Sequence, residues 1–303
     1  MNPQNSQQRP QSKNQRRNEA REQARQIREA AAKKQRRSKW LIRGGIVVAV
    51  LAIVALVVTV TIINIKNSAP IADNGPRPAN TNQYNGVTIA ANNQVVTIPA
   101  GEDVEVTSLP EMPTPRPTSL ESPQNVGIGP SAPGEPVQVV IYADFSCEFC
   151  KAFEAANEAV LADMASAGQI TYEYRQIGFL DNPGSQNYSS RAAAAASCIA
   201  SEQPENYLGF LKQLYDNQPT EGMGLSNDQI KQYAQAAGAS VDGCIDDRTY
   251  RPFVKYATAQ AQLDGITATP SIFVDGQQYQ TTQQANFNDF RSFVEGVIEA
   301  KQS

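Results

Sequence analysis

Histidine is absent from this chain of 303 residues, and cysteine occurs only four times. Without histidine there is no Ser-His-Asp triad, no Cys-His nucleophile pair, and no histidine-ligated zinc or haem. Four cysteines can ligate a metal ion as two close pairs. Cys147 and Cys150 are such a pair, but Cys198 and Cys244 lie far apart in the chain. The sequence therefore predicts no metal site.

Basic residues are concentrated at the start of the chain, although the net charge is −4. Residues 1–43 contain 13 lysine or arginine residues and 3 acidic residues, whereas the rest of the chain contains 13 and 27. Such a segment is compatible with binding to nucleic acid or to lipid headgroups. Its position before an apolar segment favours membrane lipid, and we expect no nucleic-acid partner.

Residues 45–65 are apolar and uncharged over 21 positions. As a helix they would be about 31 Å long, enough to cross the hydrocarbon core of a bilayer. A buried core helix and a cleaved signal sequence are the alternatives, but the apolar part of a signal is only about 7–15 residues long. The positive-inside rule then predicts a single-pass plasma-membrane protein with a cytoplasmic N-terminus and an extracytoplasmic C-terminal domain.

The segments on either side of this predicted transmembrane anchor do not have the composition of packed domains. Residues 1–39 form a basic cytoplasmic tail, for which we expect disorder or a partial helix from about residue 18. Residues 66–136 are predicted to be an extracytoplasmic linker or stalk with a possible hairpin at 87–98. Eight prolines within residues 107–136 favour an extended chain there.

Residues 137–303 carry the pattern of an α/β domain. A β-branched strand at 137–142 precedes a helical pattern, and residues 170–176 alternate like a second strand. An alanine-rich and glutamine-rich helical block at about 186–263 separates them from a third strand at 271–274, a hairpin and a final helix. The resulting order is β-α-β, a helical insertion, and β-β-α.

The Cys147-Glu148-Phe149-Cys150 motif lies where the first strand of this domain passes into a helix. A helix N-terminus stabilises an anion, so the first cysteine is expected to be a reactive thiolate nucleophile. The second cysteine, three residues later on the same face, can resolve the mixed disulfide that the first one forms. Half of a zinc site and two structural cysteines are the alternative interpretations.

The domain resembles the DsbA-like thiol–disulfide oxidoreductases, which have a thioredoxin fold with a helical insertion. The resemblance covers residues 137–303 and rests on two widely separated motifs and two shorter matches. These are Asp144–Cys150 after the strand Val139–Ile141, Gly265–Gly276 with its Thr-Pro step, Tyr174–Arg175, and Arg191–Ala196.

The resemblance implies a role for several residues. Cys147 and Cys150 would be the catalytic pair, and this redox-active disulfide would take the place of any cofactor. Pro270 would follow a cis peptide bond, and Thr269 would offer its backbone to an extended substrate chain. Glu148 and Phe149 depart from the Pro-His of the strongest oxidants in the family, so they would tune the redox properties of the pair.

Cys198 and Cys244 both lie in the helical block, where two buried free thiols are one possibility. An oxidising compartment favours a structural disulfide between them. A relay of electrons between this pair and the catalytic pair is a third possibility. Asp144 and Glu148 are candidates for proton transfer to Cys150, although exposed surface acids are the commoner case.

Together these features predict a membrane-anchored extracytoplasmic thiol–disulfide oxidoreductase that forms or exchanges disulfides in cysteine-containing exported proteins. The family resemblance implies a quinone-coupled membrane protein as the reoxidant. The direction of electron transfer stays open between oxidase, isomerase and reductase. The alternatives are a reductase of the same fold, for example in cytochrome maturation, and a non-catalytic binding module with a thioredoxin fold.

Overall fold

A computed structural model describes residues 13–68, 70–219, 224–280 and 286–302. The chain divides between residues 69 and 70 into two units, and the described part of the first is one long helix, α1 (Lys13–Ser68). The part of the basic tail from residue 13 onwards is thus helical, because alanine, glutamine, arginine, lysine and glutamate all have high helix propensity. The remainder of the predicted disordered tail, residues 1–12, lies outside the described residues.

The apolar half of α1 has an exposed surface. Every large apolar side chain described between Ile46 and Val58 is at least half exposed, as is the side chain of Trp40. Among the described residues, no helix has the combination of length and apolar character needed to span a membrane. The predicted anchor at 45–65 includes side chains, those of residues 60 and 62–65, that lie outside this description, and it stays a prediction.

The second unit has a six-stranded sheet and a separate two-stranded sheet. The strands, in chain order, are β1 (Asn74–Gly75), β2 (Val87–Ala90), β3 (Gln94–Val95), β4 (Val104–Glu105), β5 (Val137–Ala143), β6 (Ile170–Gln176), β7 (Ser271–Val274) and β8 (Gln277–Tyr279). The helices are α2 (Glu148–Ser166), α3 (Tyr188–Glu202), α4 (Tyr207–Asp216), α5 (Asn227–Ala236), α6 (Asp242–Asp246), α7 (Arg251–Leu263) and α8 (Phe290–Gln302).

The large sheet has the order β3-β2-β6-β5-β7-β8. Strands β1 and β4 form the two-stranded sheet. Among the strand pairs of the described residues, only β5 and β6 are parallel, as expected for two strands connected through a helix, here α2. Helices α3 to α7 form one continuous insertion between β6 and β7. The predicted α/β architecture with a helical insertion is confirmed.

Alternate residues of β5 belong to two different hydrophobic cores. Val139 and Ile141 face a large core that includes side chains of α2, α8 and the helical insertion. Val140 and Tyr142 face a smaller core that includes Phe273 of β7. Burial on both sides accounts for the nearly continuous apolar sequence of this strand.

The segment before β5 differs from the stalk that the sequence predicted. Val87 and Ile89 of β2 are buried in the larger core, and β2 pairs antiparallel with β6, between β6 and the edge strand β3. Strands β2 and β3 also pair with each other, in the region of the predicted hairpin. The prolines exclude regular structure from much of this segment, but they do not prevent an irregular chain from packing, and the compact unit begins at residue 70.

The prolines lie close to a second set of buried residues from the same segment. Ile128 is fully buried in the smaller core, and Leu120 and Val126 pack against it. Arg175 of β6 connects this segment to the sheet: its Nη1 donates to the Val126 carbonyl at 2.8 Å, and its guanidinium lies over the Tyr84 ring at 5.4 Å. The segment is therefore part of the domain.

A disulfide joins Cys198 of α3 to Cys244 of α6, with their Cα atoms 6.0 Å apart. We expect the double substitution Cys198→Ala and Cys244→Ala to lower the free energy of unfolding by about 4 kcal/mol, because the bond closes a long loop in the unfolded chain. Denaturant unfolding of the two proteins measures this difference. A stability equal to that of the wild type under oxidising conditions would contradict the structural role.

Candidate active site

Asp144 organises the turn that leads from β5 into α2. Its side chain is fully buried, and its carboxylate accepts hydrogen bonds from the Ser146 N–H at 2.7 Å and the Leu180 N–H at 2.9 Å. Burial raises the pKa of this carboxyl group. The interpretation of Asp144 as an exposed surface acid is wrong, because both carboxylate oxygens bind backbone N–H groups inside the domain.

A second side chain fixes the same turn from the helical insertion. The Gln218 amide donates to the Phe145 carbonyl at 2.8 Å and to the Cys147 carbonyl at 3.0 Å. Gln218 follows the end of α4, and nothing in the local sequence distinguishes it from any other surface glutamine. Only the packing of α4 beside α2 brings it to the turn.

Cys147 occupies the N-cap position of α2 and is 5% exposed. Its thiol lies 3.1 Å from the carbonyl oxygen of Thr269. A hydrogen bond from the Cys150 thiol is the main cause that lowers the pKa of Cys147 to about 6, assisted by the Thr269 side chain and by the N–H groups at the start of the helix. At neutral pH this sulfur is therefore a thiolate.

Cys150 has the opposite environment one turn into the helix. Its side chain is 1% exposed, and burial raises its pKa well above the ordinary value for a thiol. The two sulfurs are both free in this structure. Their environments give one thiolate and one more deeply buried, protonated thiol, as attack by one sulfur and resolution by the other require.

We expect the reduced protein to show one thiol that ionises with a midpoint at about pH 6. Below this pH the Cys147 sulfur is protonated and its alkylation slows, whereas above it the rate reaches a plateau. The ultraviolet absorbance of the thiolate and the rate of reaction with iodoacetamide both report the transition. Replacement of Cys147 by serine should remove it, and a midpoint near pH 9 would contradict the assignment.

Thr269 and Pro270 lie on the loop that enters β7, and the peptide bond between them is cis. Thr267 and Ala268 just before them are exposed. The structure thus brings Thr269 of the second motif to the CxxC motif, with its carbonyl beside the first sulfur.

A groove with a volume of about 1380 Å³ opens beside Cys147. Glu148 and Phe149, the dipeptide between the cysteines, are both exposed and line this groove. Phe149 is an aromatic residue that the core does not bury, and its side chain is 45% exposed. Its place in the wall of the groove explains this exposure. The two residues predicted to tune the redox pair therefore lie on the surface that a substrate would contact.

Glu154 is a buried acid that the sequence did not single out. It lies four residues after Cys150, hence on the same face of α2, and is 8% exposed. One carboxylate oxygen, Oε2, accepts a hydrogen bond from the Tyr174 hydroxyl at 3.0 Å, and burial raises the pKa of the group to about 8. The sequence offers one signal for Glu154, its four-residue spacing from Cys150. This spacing does not show that the sheet covers this face of α2.

We expect the substitution Glu154→Gln to stabilise the protein in alkaline solution. Because the folded-state pKa is raised from 4.5 to about 8, the folded state holds an extra proton between these values, and wild-type stability falls as the pH rises through this range. The glutamine variant lacks this loss, which amounts to at most about 5 kcal/mol.

Denaturant unfolding at about pH 5 and about pH 9 tests this expectation. Asp163 is a control on the same helix, since its side chain is 73% exposed and pairs with Arg291 at the surface. Asp163→Asn should follow the wild-type pH dependence. Parallel curves for the Glu154→Gln variant and the wild type would contradict the pKa of the buried acid.

Comparisons with known proteins identify the family of this chain. The family model described as Thioredoxin matches residues 123–295, more than half of the chain. Disulfide bond formation protein D of Bacillus subtilis is 24% identical over 173 residues, which are 55% of this chain and 74% of that protein. The serine/threonine-protein kinase PknE of Mycobacterium tuberculosis is 28% identical over 176 residues, 54% of this chain but only 31% of the kinase.

Two solved structures are also similar. Reduced DsbA from Mycobacterium tuberculosis is 27% identical with a TM-score of 0.47, covering 57% of this chain and 93% of its own. Oxidised BdbD from Bacillus subtilis is 21% identical with a TM-score of 0.48, covering 61% of this chain and 97% of its own.

The chain belongs to the thioredoxin family, and it is a DsbA-like thiol–disulfide oxidoreductase. Proteins of this kind act on cysteine-containing substrate proteins, and they are extracytoplasmic. The family that the two sequence motifs predicted is confirmed.

Proposed function

We propose that this protein oxidises cysteine pairs in exported proteins through a Cys147–Cys150 disulfide. In the reverse direction, attack on a substrate disulfide, Cys147 is the nucleophile and Cys150 the resolving thiol. The observation that carries the proposal is the contrast between a Cys147 thiol with a pKa of about 6 and a buried Cys150 thiol with a raised pKa. Stabilisation of the reduced pair by a thiolate makes the disulfide a stronger oxidant. This favours oxidation over the reductase alternative.

The reaction begins with the Cys147–Cys150 disulfide. A substrate thiolate attacks the Cys147 sulfur, a mixed disulfide forms, and the Cys150 sulfur leaves and takes up a proton. A second substrate thiolate then attacks the substrate sulfur of the mixed disulfide and releases the Cys147 thiolate. The substrate gains a disulfide, and its two electrons remain on the reduced cysteine pair.

The backbone of Thr269 is proposed to dock the substrate in this reaction. Its carbonyl lies 3.1 Å from the Cys147 sulfur, so a chain that binds this loop would place a cysteine next to the nucleophile. Thr269 and Pro270 form the docking element in this proposal, and exposed Glu148 and Phe149, which line the same groove as Thr269, also contact the substrate.

We also propose that residues 45–65 anchor the protein in the plasma membrane, with the basic tail in the cytoplasm and the catalytic domain outside. The uncharged sequence, the exposed apolar side chains of α1 and the excess of basic residues before them support this proposal. The Cys198–Cys244 disulfide is typical of an oxidising compartment. Reduced enzyme would then return its electrons to a quinone-coupled membrane protein.

The equilibrium reduction potential of Cys147–Cys150, measured with the full chain in detergent micelles and glutathione buffers, tests the proposal. A value near about −120 mV is expected for an oxidant. A value near about −270 mV would indicate a reductase instead. Failure of the pair to form or exchange a disulfide would leave a non-catalytic binding module.

A further inference from the structure

Residues 116–118, which the sequence placed in a stalk, form one side of the catalytic groove. Arg116, Pro117 and Thr118 line the same groove as Cys147 and Thr269. The CxxC and Thr-Pro motifs do not predict this arrangement, because residues 116–118 come before the strand that leads to the CxxC motif. We call residues 116–118 the groove wall.

The groove wall is held in place by the residues that follow it. Leu120 packs against the smaller core, and the backbone at Ser119 lies directly against Gly265. A Cβ atom at position 265 would stand 2.0 Å from the Ser119 carbonyl oxygen, and the φ angle of Gly265 is +88°. Only glycine fits this approach, so the wall is fixed against the loop that continues to Thr269.

Two exposed apolar side chains indicate which kind of substrate residue the groove binds. Outside α1, the exposed large hydrophobic side chains among the described residues are Phe149 and Leu180, at 45% and 44% exposure. Both line this groove. Because an exposed apolar pair at a catalytic sulfur is unfavourable in water, it indicates contact with apolar side chains of an extended substrate segment.

The groove lining has a net positive charge, whereas the rest of the domain has a net negative charge. Arg116 and Lys151 are basic and Glu148 is acidic. By contrast, the other residues from 44 onwards include 26 acidic and 11 basic side chains. A positive groove in an acidic domain favours acidic substrate segments, which the remaining surface repels.

We infer that the groove wall determines substrate specificity, and that Arg116 binds an acidic side chain near the reacting cysteine of an extended polypeptide. This inference rests on the proposed function, since it names the substrate class of the same site. The substrate is a cysteine-containing segment with apolar residues next to the cysteine and an aspartate or glutamate on the side of the wall.

Oxidation of matched dithiol peptides tests the inference. The peptides share two cysteines and an apolar residue, and differ only in whether glutamate, glutamine or lysine occupies each position near the first cysteine. The oxidised full chain in detergent micelles is mixed with each peptide, and the rate of peptide disulfide formation is measured. Each turnover moves two electrons from the peptide thiols to the Cys147–Cys150 disulfide.

The wild type should oxidise the best-placed glutamate peptide about three- to fivefold faster than its lysine counterpart, as expected for one exposed ion pair, and high salt should remove the difference. Arg116→Glu should reverse the preference. Arg291→Glu makes the same charge change on α8, where Arg291 pairs with Asp163, and should keep it.

Different results would refute different statements. Equal wild-type rates with all peptides, or an Arg116→Glu variant with the wild-type preference, would overturn the inference and leave the proposed function intact. A wild-type protein that oxidises none of the peptides would overturn the proposed function, and the inference with it. The rates of each variant with the glutamate and lysine peptides, divided by its own rate with the neutral glutamine peptide, separate the charge preference from any change in the sulfur pair.

Discussion

Replacement of Cys147 by serine is expected to abolish thiol–disulfide exchange. A serine hydroxyl at the N-cap of α2 neither ionises at neutral pH nor forms a mixed disulfide, so neither direction of the reaction can start. The rate of dithiol peptide oxidation should fall by roughly three orders of magnitude or more, to that of buffer. The same variant should be folded, because serine fits the space of the cysteine.

The substitution Cys150→Ser distinguishes the two sulfurs. Cys147 remains able to attack, but the resolving thiol is gone, so mixed disulfides with substrate proteins should accumulate and be visible on non-reducing gels. The double variant Cys198→Ala and Cys244→Ala is a matched control that removes two cysteines without touching the groove. A Cys147→Ser protein with more than about a tenth of wild-type activity would contradict the mechanism.

Replacement of Arg175 by methionine is expected to cost about 3–5 kcal/mol of unfolding free energy. Arg175 is 2% exposed, and its Nε donates to the equally buried Glu173 carboxylate at 2.7 Å. The variant leaves that carboxylate buried without its partner and also removes the hydrogen bond to the Val126 carbonyl. Destabilisation and a protease-sensitive segment before β5 should therefore appear together.

Two further variants separate the charge from the packing. Arg175→Met combined with Glu173→Gln should recover part of the loss, because no unpaired charge remains. Lys212→Met breaks a surface pair whose side chains are about half exposed, and should change stability by less than about 1 kcal/mol. Denaturant unfolding monitored by near-ultraviolet circular dichroism measures all three. Equal effects of Arg175→Met and Lys212→Met would contradict the connecting role of Arg175.

The parts of the site that the sequence could predict are those carried by local motifs. The CxxC motif after a β-branched strand predicts that its first cysteine lies at a helix N-terminus, and this prediction needs no distant contact. The Thr-Pro motif identifies the later strand, β7, that pairs with β5. The helical insertion at 186–263 was predicted because its periodicity is also local. It spans α3 to α7, close to the predicted limits.

The parts that could not be predicted depend on contacts between distant segments. Proline-rich composition excludes helices and central strands, but it does not show whether the chain packs, and Ile128 is buried only because β5 and β7 offer it an apolar surface. Glu154 resembles any charged helical residue until the sheet covers it. Gln218 reaches the catalytic turn only through the position of α4.

The strand order of the large sheet determines when a newly made chain acquires its catalytic geometry. Strand β5, which precedes the cysteine pair, lies between β6 and the late strand β7. Synthesis from the N-terminus therefore delivers both sulfurs long before Thr269, the residue whose carbonyl lies beside Cys147. Because such distant pairings form last, the nascent domain gains a docking loop only when nearly the whole chain has emerged.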